Sequence, residues 1–122
     1  MLIRSNGNII FVVMYTVNTT FITDVNNEAN LSGYLNSDIV PYLNLSAYQG
    51  KNSLIRKVIE ISGNKPDPEN GVSIALSVDF ASLEEAKKWK KEIMEPLLKK
   101  FQLHFGDDAF SFDTILDTFI IP

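Results

Sequence analysis

Residues 82–106 read SLEEAKKWKKEIMEPLLKKFQLHFG. The spacing predicts one long amphipathic helix with both ends marked. Ser82 stands three residues before Glu85. In that arrangement the hydroxyl accepts from an orphan backbone N–H and the carboxylate reaches back to another. Leu83, Ala86, Trp89, Ile93, Leu97 and Phe101 share one arc of a helical wheel, and Glu84, Lys88, Lys91, Glu92, Glu95 and Lys99 take the opposite arc. Gly106 supplies the left-handed residue that ends such a helix. Pro96 has no N–H and crowds the turn before it, so a kink is expected there.

Upstream of this helix lies the cleanest strand. Val72, Ile74, Leu76, Val78 and Phe80 alternate without a miss with Ser73, Ala75, Ser77 and Asp79. The first set belongs against helices, and the second set is small. Asn64, Pro66, Asp67, Pro68 and Asn70 make a dense turn before it, which reads as a long hairpin loop over 63–71. A further strand is expected over Leu54–Ser62, around Val58, Ile59 and Ile61, after a loop at 44–53. Downstream, Ala109–Ile121 reads as the last strand. Its apolar parity shifts between Phe112 and Ile115, which calls for a bulge or for burial on both faces.

The first half completes the order. Ile9–Val17 is a β-branched and aromatic run without alternation, expected as a strand buried on both faces. It is too short to cross a membrane, and it lacks the small-residue cleavage pattern of a signal peptide. Residues 1–8 read as a loose leader, and 18–27 as a polar turn. Leu31, Tyr34, Leu35, Ile39, Tyr42 and Leu43 then mark a helix over 27–43, which Pro41 should kink or end.

Composition narrows the class. A chain of 122 residues, 45% hydrophobic and 21% charged, is the size of one domain with its own core, here expected over 9–122. The net charge of −4 argues against nucleic acid and against anionic membrane surfaces as partners. There is no cysteine, so thiolate chemistry and disulfides are absent, and a cytoplasmic location is expected. Lys87, Lys88, Lys90 and Lys91 interleave with glutamates and read as a solvated helix face. The Lys90 stem should cover Trp89 or Leu97 while its ammonium stays wet.

Strand, helix, strand, strand, helix, strand is the split β-α-β order of ferredoxin-like folds. Such an α+β fold places two helices on one face of a four-stranded antiparallel sheet and leaves the other face bare. A bare apolar face demands a partner, and a homodimer through that face is the closed solution.

Three places resemble the small bacterial domain-of-unknown-function family 4286, of the dimeric α/β-barrel group. They are Met14-Tyr15-Thr16-Val17-Asn18, then Ile39-Val40-Pro41-Tyr42-Leu43, and the tail from Pro96-Leu97 through Phe105-Gly106 to Phe112-Asp113-Thr114-Ile115-Leu116. The resemblance implies a dimeric barrel of two facing sheets and no particular reaction. A histidine associated with the end of the first helix in related barrels is replaced here by Ser37 and Asp38.

Candidate chemistry rests on few residues. His104 is the only histidine, which excludes a two-histidine metal site within one chain and a triad. Extrapolated across Pro96, it falls near the apolar arc and should be partly buried. Haem-degrading dimeric barrels use an asparagine, a tryptophan and a histidine, types that Asn18, Trp89 and His104 supply. Asp79 and Asp113 would form an acid–base or cation-binding pair if they faced one cavity. Trp89 with Tyr34 and Tyr42 could line a pocket, though core packing is the default. No phosphate loop, nucleophile elbow or metal-ligand spacing occurs.

The leading expectation is therefore a dimeric barrel with no cofactor and no metal, holding a small ligand in the barrel or in the helix–sheet cleft. Two alternatives stand beside it. One is an oxygenase or isomerase-type enzyme, cofactor-dependent or cofactor-free, using His104, Trp89 and Asn18. The other is a regulatory or assembly module acting through its dimer surface.

Overall fold

A computed structural model describes residues 2–5, 8–12, 14–43, 53–57 and 71–118. Its main sheet contains β3 (Met14–Asp24), β4 (Ser53–Lys57), β5 (Gly71–Phe80) and β6 (Ala109–Thr118), in the order β4-β5-β3-β6 with every neighbour antiparallel. Ahead of it, β1 (Leu2–Ser5) and β2 (Asn8–Val12) pair with each other as a small antiparallel ribbon. A strand thus occupies much of the stretch read as a loose leader.

The first helical segment runs through α1 (Glu28–Tyr34), a π turn at Leu35–Ile39 and α2 (Val40–Leu43). The second runs through α3 (Leu83–Trp89), a π turn at Lys90–Met94 and α4 (Glu95–Phe105). With the strands, these make the ferredoxin-like β-α-β-β-α-β arrangement expected from the sequence.

The alternation in β5 is realised. Val72, Ile74, Leu76, Val78 and Phe80 are buried and join Val17 and Phe21 of β3. Leu31, Leu35 and Ile39 from the first helix close on this face, as do Ala86, Trp89, Met94, Leu97, Phe101 and Phe105 from the second. Phe21 meets Phe101 edge-on at 5.1 Å, and Phe80 lies 5.4 Å from Trp89. Both helices therefore cover one side of the sheet.

The capping hydroxyl behaves as expected: the Glu85 N–H donates to Ser82 Oγ at 3.1 Å. Ser82→Ala should lower stability by about 1 kcal/mol, read as a shift of the urea midpoint at unchanged slope. An unshifted midpoint would mean that the cap contributes nothing here. At the other end Gly106 has φ +57°, and its N–H donates to the carbonyl of Gln102.

Neither proline ends its helix. Each follows a π turn at the same offset: Val40 N–H donates to the Leu35 carbonyl before Pro41, and Glu95 N–H donates to the Lys90 carbonyl before Pro96. Widening the turn by one residue gives the proline ring room against the preceding carbonyls, and the helix resumes beyond it. The inserted residue also re-aims the second helix. Met94 is fully buried, while Ile93, expected in the apolar arc, is only partly so and Leu83 is exposed.

Three strand expectations are corrected. First, β3 runs on to Asp24, so most of the stretch read as a turn is strand. Thr19 and Thr23 are buried there because their hydroxyls have partners, Asp113 Oδ1 at 3.1 Å and the Asp108 carbonyl at 2.6 Å. Secondly, β3 is not apolar on both sides. Thr16, Asn18 and Thr20 face away from the helices, which follows from the strict alternation with buried Val17, Thr19 and Phe21. Thirdly, β6 needs no bulge, since its register with β3 is unbroken from Thr23–Ala109 to Met14–Thr118. Its apolar residues lie on both faces, with Ile115 toward the helices and Phe110, Phe112 and Leu116 on the open side. Most of the expected loop at 44–53, whose last residue Ser53 opens β4, most of the hairpin loop at 63–71, and the strand residues beyond Lys57 and Thr118 lie outside the described residues.

Candidate functional site on the open sheet face

The open face combines a polar row with an apolar edge. Pairing sets Thr16 beside Asp79 and Asn18 beside Ser77 across β3 and β5. Thr16 Oγ1 donates to Asp79 Oδ1 at 2.6 Å. Ser77 Oγ donates to Asn18 Oδ1 at 2.9 Å, and Asn18 Nδ2 donates to Thr20 Oγ1 at 3.2 Å. From the other neighbour, Thr114 Oγ1 donates to the Asn18 carbonyl at 3.4 Å. These bonds fix the rotamers of short side chains on a rigid sheet. A carboxylate, an amide and hydroxyls are thereby presented, each with bonding capacity to spare.

Beside the row, Phe110, Phe112 and Leu116 are 63%, 50% and 50% exposed. They sit on β6, an edge strand of the sheet. Three large apolar side chains thus meet solvent along one sheet edge, the kind of surface that can take a partner.

The expected site residues separate. Asn18 and Asp79 share the open face. Asp113 lies on the opposite face with Thr19, so the two carboxylates do not share a cavity. Trp89 is buried in the core against Phe80. His104 is exposed, not partly buried, and stacks on Tyr34 with ring centroids 4.7 Å apart. The π turn lies between Trp89 and His104 and changes the register on which the burial of His104 was extrapolated. Asn18, Trp89 and His104 therefore occupy three different places. Among the described residues no three His, Asp or Glu side chains are grouped to hold a metal ion, and no helix is long and apolar enough to cross a membrane.

Asp113 sits under the second helix, with its side chain 11% exposed and Lys90 Nζ 4.0 Å from Oδ2. The Lys90 ammonium is thus directed at a carboxylate. Burial pushes the Asp113 carboxyl above its usual 3.8 and the Glu95 charge adds to this, while the Thr19 hydrogen bond and Lys90 oppose it. A raised folded-state value favours the protonated form. Its contribution to stability is complete below 3.8 and is lost as pH rises through the folded value. Asp113→Asn keeps an acceptor for Thr19 without the charge. The variant should gain stability relative to the parent between about pH 3 and about pH 7, measured by urea denaturation. A difference independent of pH would contradict this.

Sequence reasoning missed Thr16, Thr20 and Ser77 as partners of Asn18 and Asp79. For the β3 residues the signal was the every-second-residue placing of Thr16, Asn18 and Thr20, cut short by reading 18–27 as a turn.

With the geometry set, comparison with known proteins adds the fold. No family model matches the chain, and no curated protein does. Among solved structures, a dimeric ferredoxin-like protein from an uncultured marine organism is similar at a TM-score of 0.54 and 9% identity, over 88% of this chain and 96% of that one. The chain has a ferredoxin-like fold. The nitrogen regulatory PII-like protein CPII from Thiomonas intermedia K12 aligns at 0.44 and 14% identity, over 91% of this chain and 99% of that one. The designed protein Foldit4 aligns at 0.42 and 8%, over 86% and 97%. Neither of these two carries a functional argument.

Proposed function

We propose that this protein is a cytoplasmic bacterial homodimer of the family 4286 type, with 9–122 as its domain. In this reading two open sheet faces stack and hold a small ligand between them. The observation that carries it is the exposed stripe of Phe110, Phe112 and Leu116 beside the hydrogen-bonded row of Thr16, Asn18, Thr20, Ser77 and Asp79. The stripe gives apolar area for a twofold, self-complementary contact. The row stays polar between the sheets, where its hydroxyls, amide and carboxylate would orient a small polar molecule. The similar marine protein is dimeric, which supports the homodimer part of the reading. The enzyme reading has no assembled residue set, because Asn18, Trp89 and His104 are apart.

Native mass spectrometry tests the proposal. A species of twice 13.7 kDa is expected, and any retained adduct would give the ligand mass. A monomer at micromolar concentration would overturn it.

A further inference from the structure

On the helix side, away from the open sheet face, the structure holds an open groove of about 550 Å³ between the first helix and the end of the second. Its volume lies within the usual range for small-molecule sites. One wall carries Asn30, Tyr34, Ser37 and Asp38, and the other carries His104 and Asp108. No lysine or arginine lines it among the described residues, so it offers no permanent positive charge to an anion and two carboxylates to a cation.

Its aromatic surface is organised. Phe101 and Phe105 meet the Tyr34 ring edge-on at 5.8 and 5.3 Å, which fixes it. His104 stacks on this fixed ring at 26°, meets Phe105 edge-on at 4.8 Å, and is exposed. A flat ligand can therefore extend the stack on the outer face of the imidazole. Ser37 and Asp38 belong to the π turn, whose extra residue alters the direction in which side chains leave the helix. Ser37 Oγ lies 3.1 Å from Asp38 Oδ2 and 2.9 Å from the Gly33 carbonyl. A Cβ placed on Gly33 would meet nothing within 4 Å, so the groove has room there. The Asp38 charge is felt at the ring: burial first, then Asp38, raises the Tyr34 phenol above its usual 10.0.

We infer that this groove binds planar organic cations, aromatic amidines and amines, stacked on His104 with their charge on Asp38. Charge-assisted, two-pronged bonds from an amidinium suit a carboxylate, and stacking selects flat rings. The inference does not depend on the dimer, because the groove is on the other side of the sheet.

The chain has one histidine, so one imidazole reports on the groove. Benzamidine titrated at fixed pH should move the His104 ring-proton resonances upfield in a saturable way, with a Kd of about 1 mM or tighter. Asp38→Asn should weaken binding about fivefold or more. Benzoate, flat but anionic, should produce no saturable shift, and Phe112→Asp should leave benzamidine binding unchanged. The inference is overturned if the benzamidine shift does not saturate, if benzoate binds equally, or if Asp38→Asn binds as the parent does. Asp38 is exposed and the variant keeps its backbone contacts, so loss of binding with an unchanged amide spectrum elsewhere separates a lost contact from a lost fold.

Discussion

Phe112→Asp is expected to convert the proposed dimer to a folded monomer. Phe112 is half-exposed on the face away from the helices, so the protomer's core does not depend on it. Across a twofold contact each substitution counts twice. Losing one buried phenylalanine costs roughly 2 kcal/mol, and an unpaired carboxylate at the contact adds to that. Dimer affinity should therefore fall about 1,000-fold or more. Sedimentation equilibrium over a concentration series measures this directly. Far-ultraviolet circular dichroism of the variant should match the parent. A variant that sediments as the parent does would remove Phe112 from any interface.

The second large effect is at Trp89. It is 1% exposed and packed on Phe80, which is fully buried. Trp89→Ala should cost about 3–5 kcal/mol and lower Tm by more than about 10 °C. Trp89→Phe should recover much of the loss, since it refills most of the volume. The contrast with Phe112→Asp is diagnostic. One substitution attacks the protomer's core, and the other attacks its association. If Trp89→Ala left Tm unchanged, Trp89 would be available for a role other than packing.

Much of this fold was readable from residue order. The alternation of Val72 to Phe80 set β5 and its buried face, and Ser82 and Gly106 marked the ends of the second helix. Local chemistry dictates such features, so they survive tertiary assembly. What was not readable depended on distant partners. Thr19 and Thr23 look polar in sequence, yet they are buried because Asp113 and the Asp108 carbonyl, far along the chain, accept their hydroxyls. Pro41 and Pro96 look like breaks, but a π turn before each absorbs the missing N–H. That turn carried Met94 into the core, and His104 beyond it lies outside.

The candidate site was half legible. Asn18 and Asp79 were singled out, but their neighbours Thr16, Thr20 and Ser77 emerge only from strand register. Whether Asp79 and Asp113 face one cavity is not written in the sequence, and the register places the two on opposite faces. The Tyr34–His104 stack joins two helices whose relative placement no local pattern specifies.

The central claim is that two open sheet faces meet. The chain has no cysteine, so single introduced thiols report proximity without background. Thr20→Cys places one on the open face, and Asn36→Cys places one on exposed helical surface on the other side. Treated with a flexible bis-maleimide at micromolar protein, the Thr20→Cys variant should form covalent dimers in high yield and the Asn36→Cys variant should not. Efficient cross-linking through Asn36→Cys, with none through Thr20→Cys, would contradict the account.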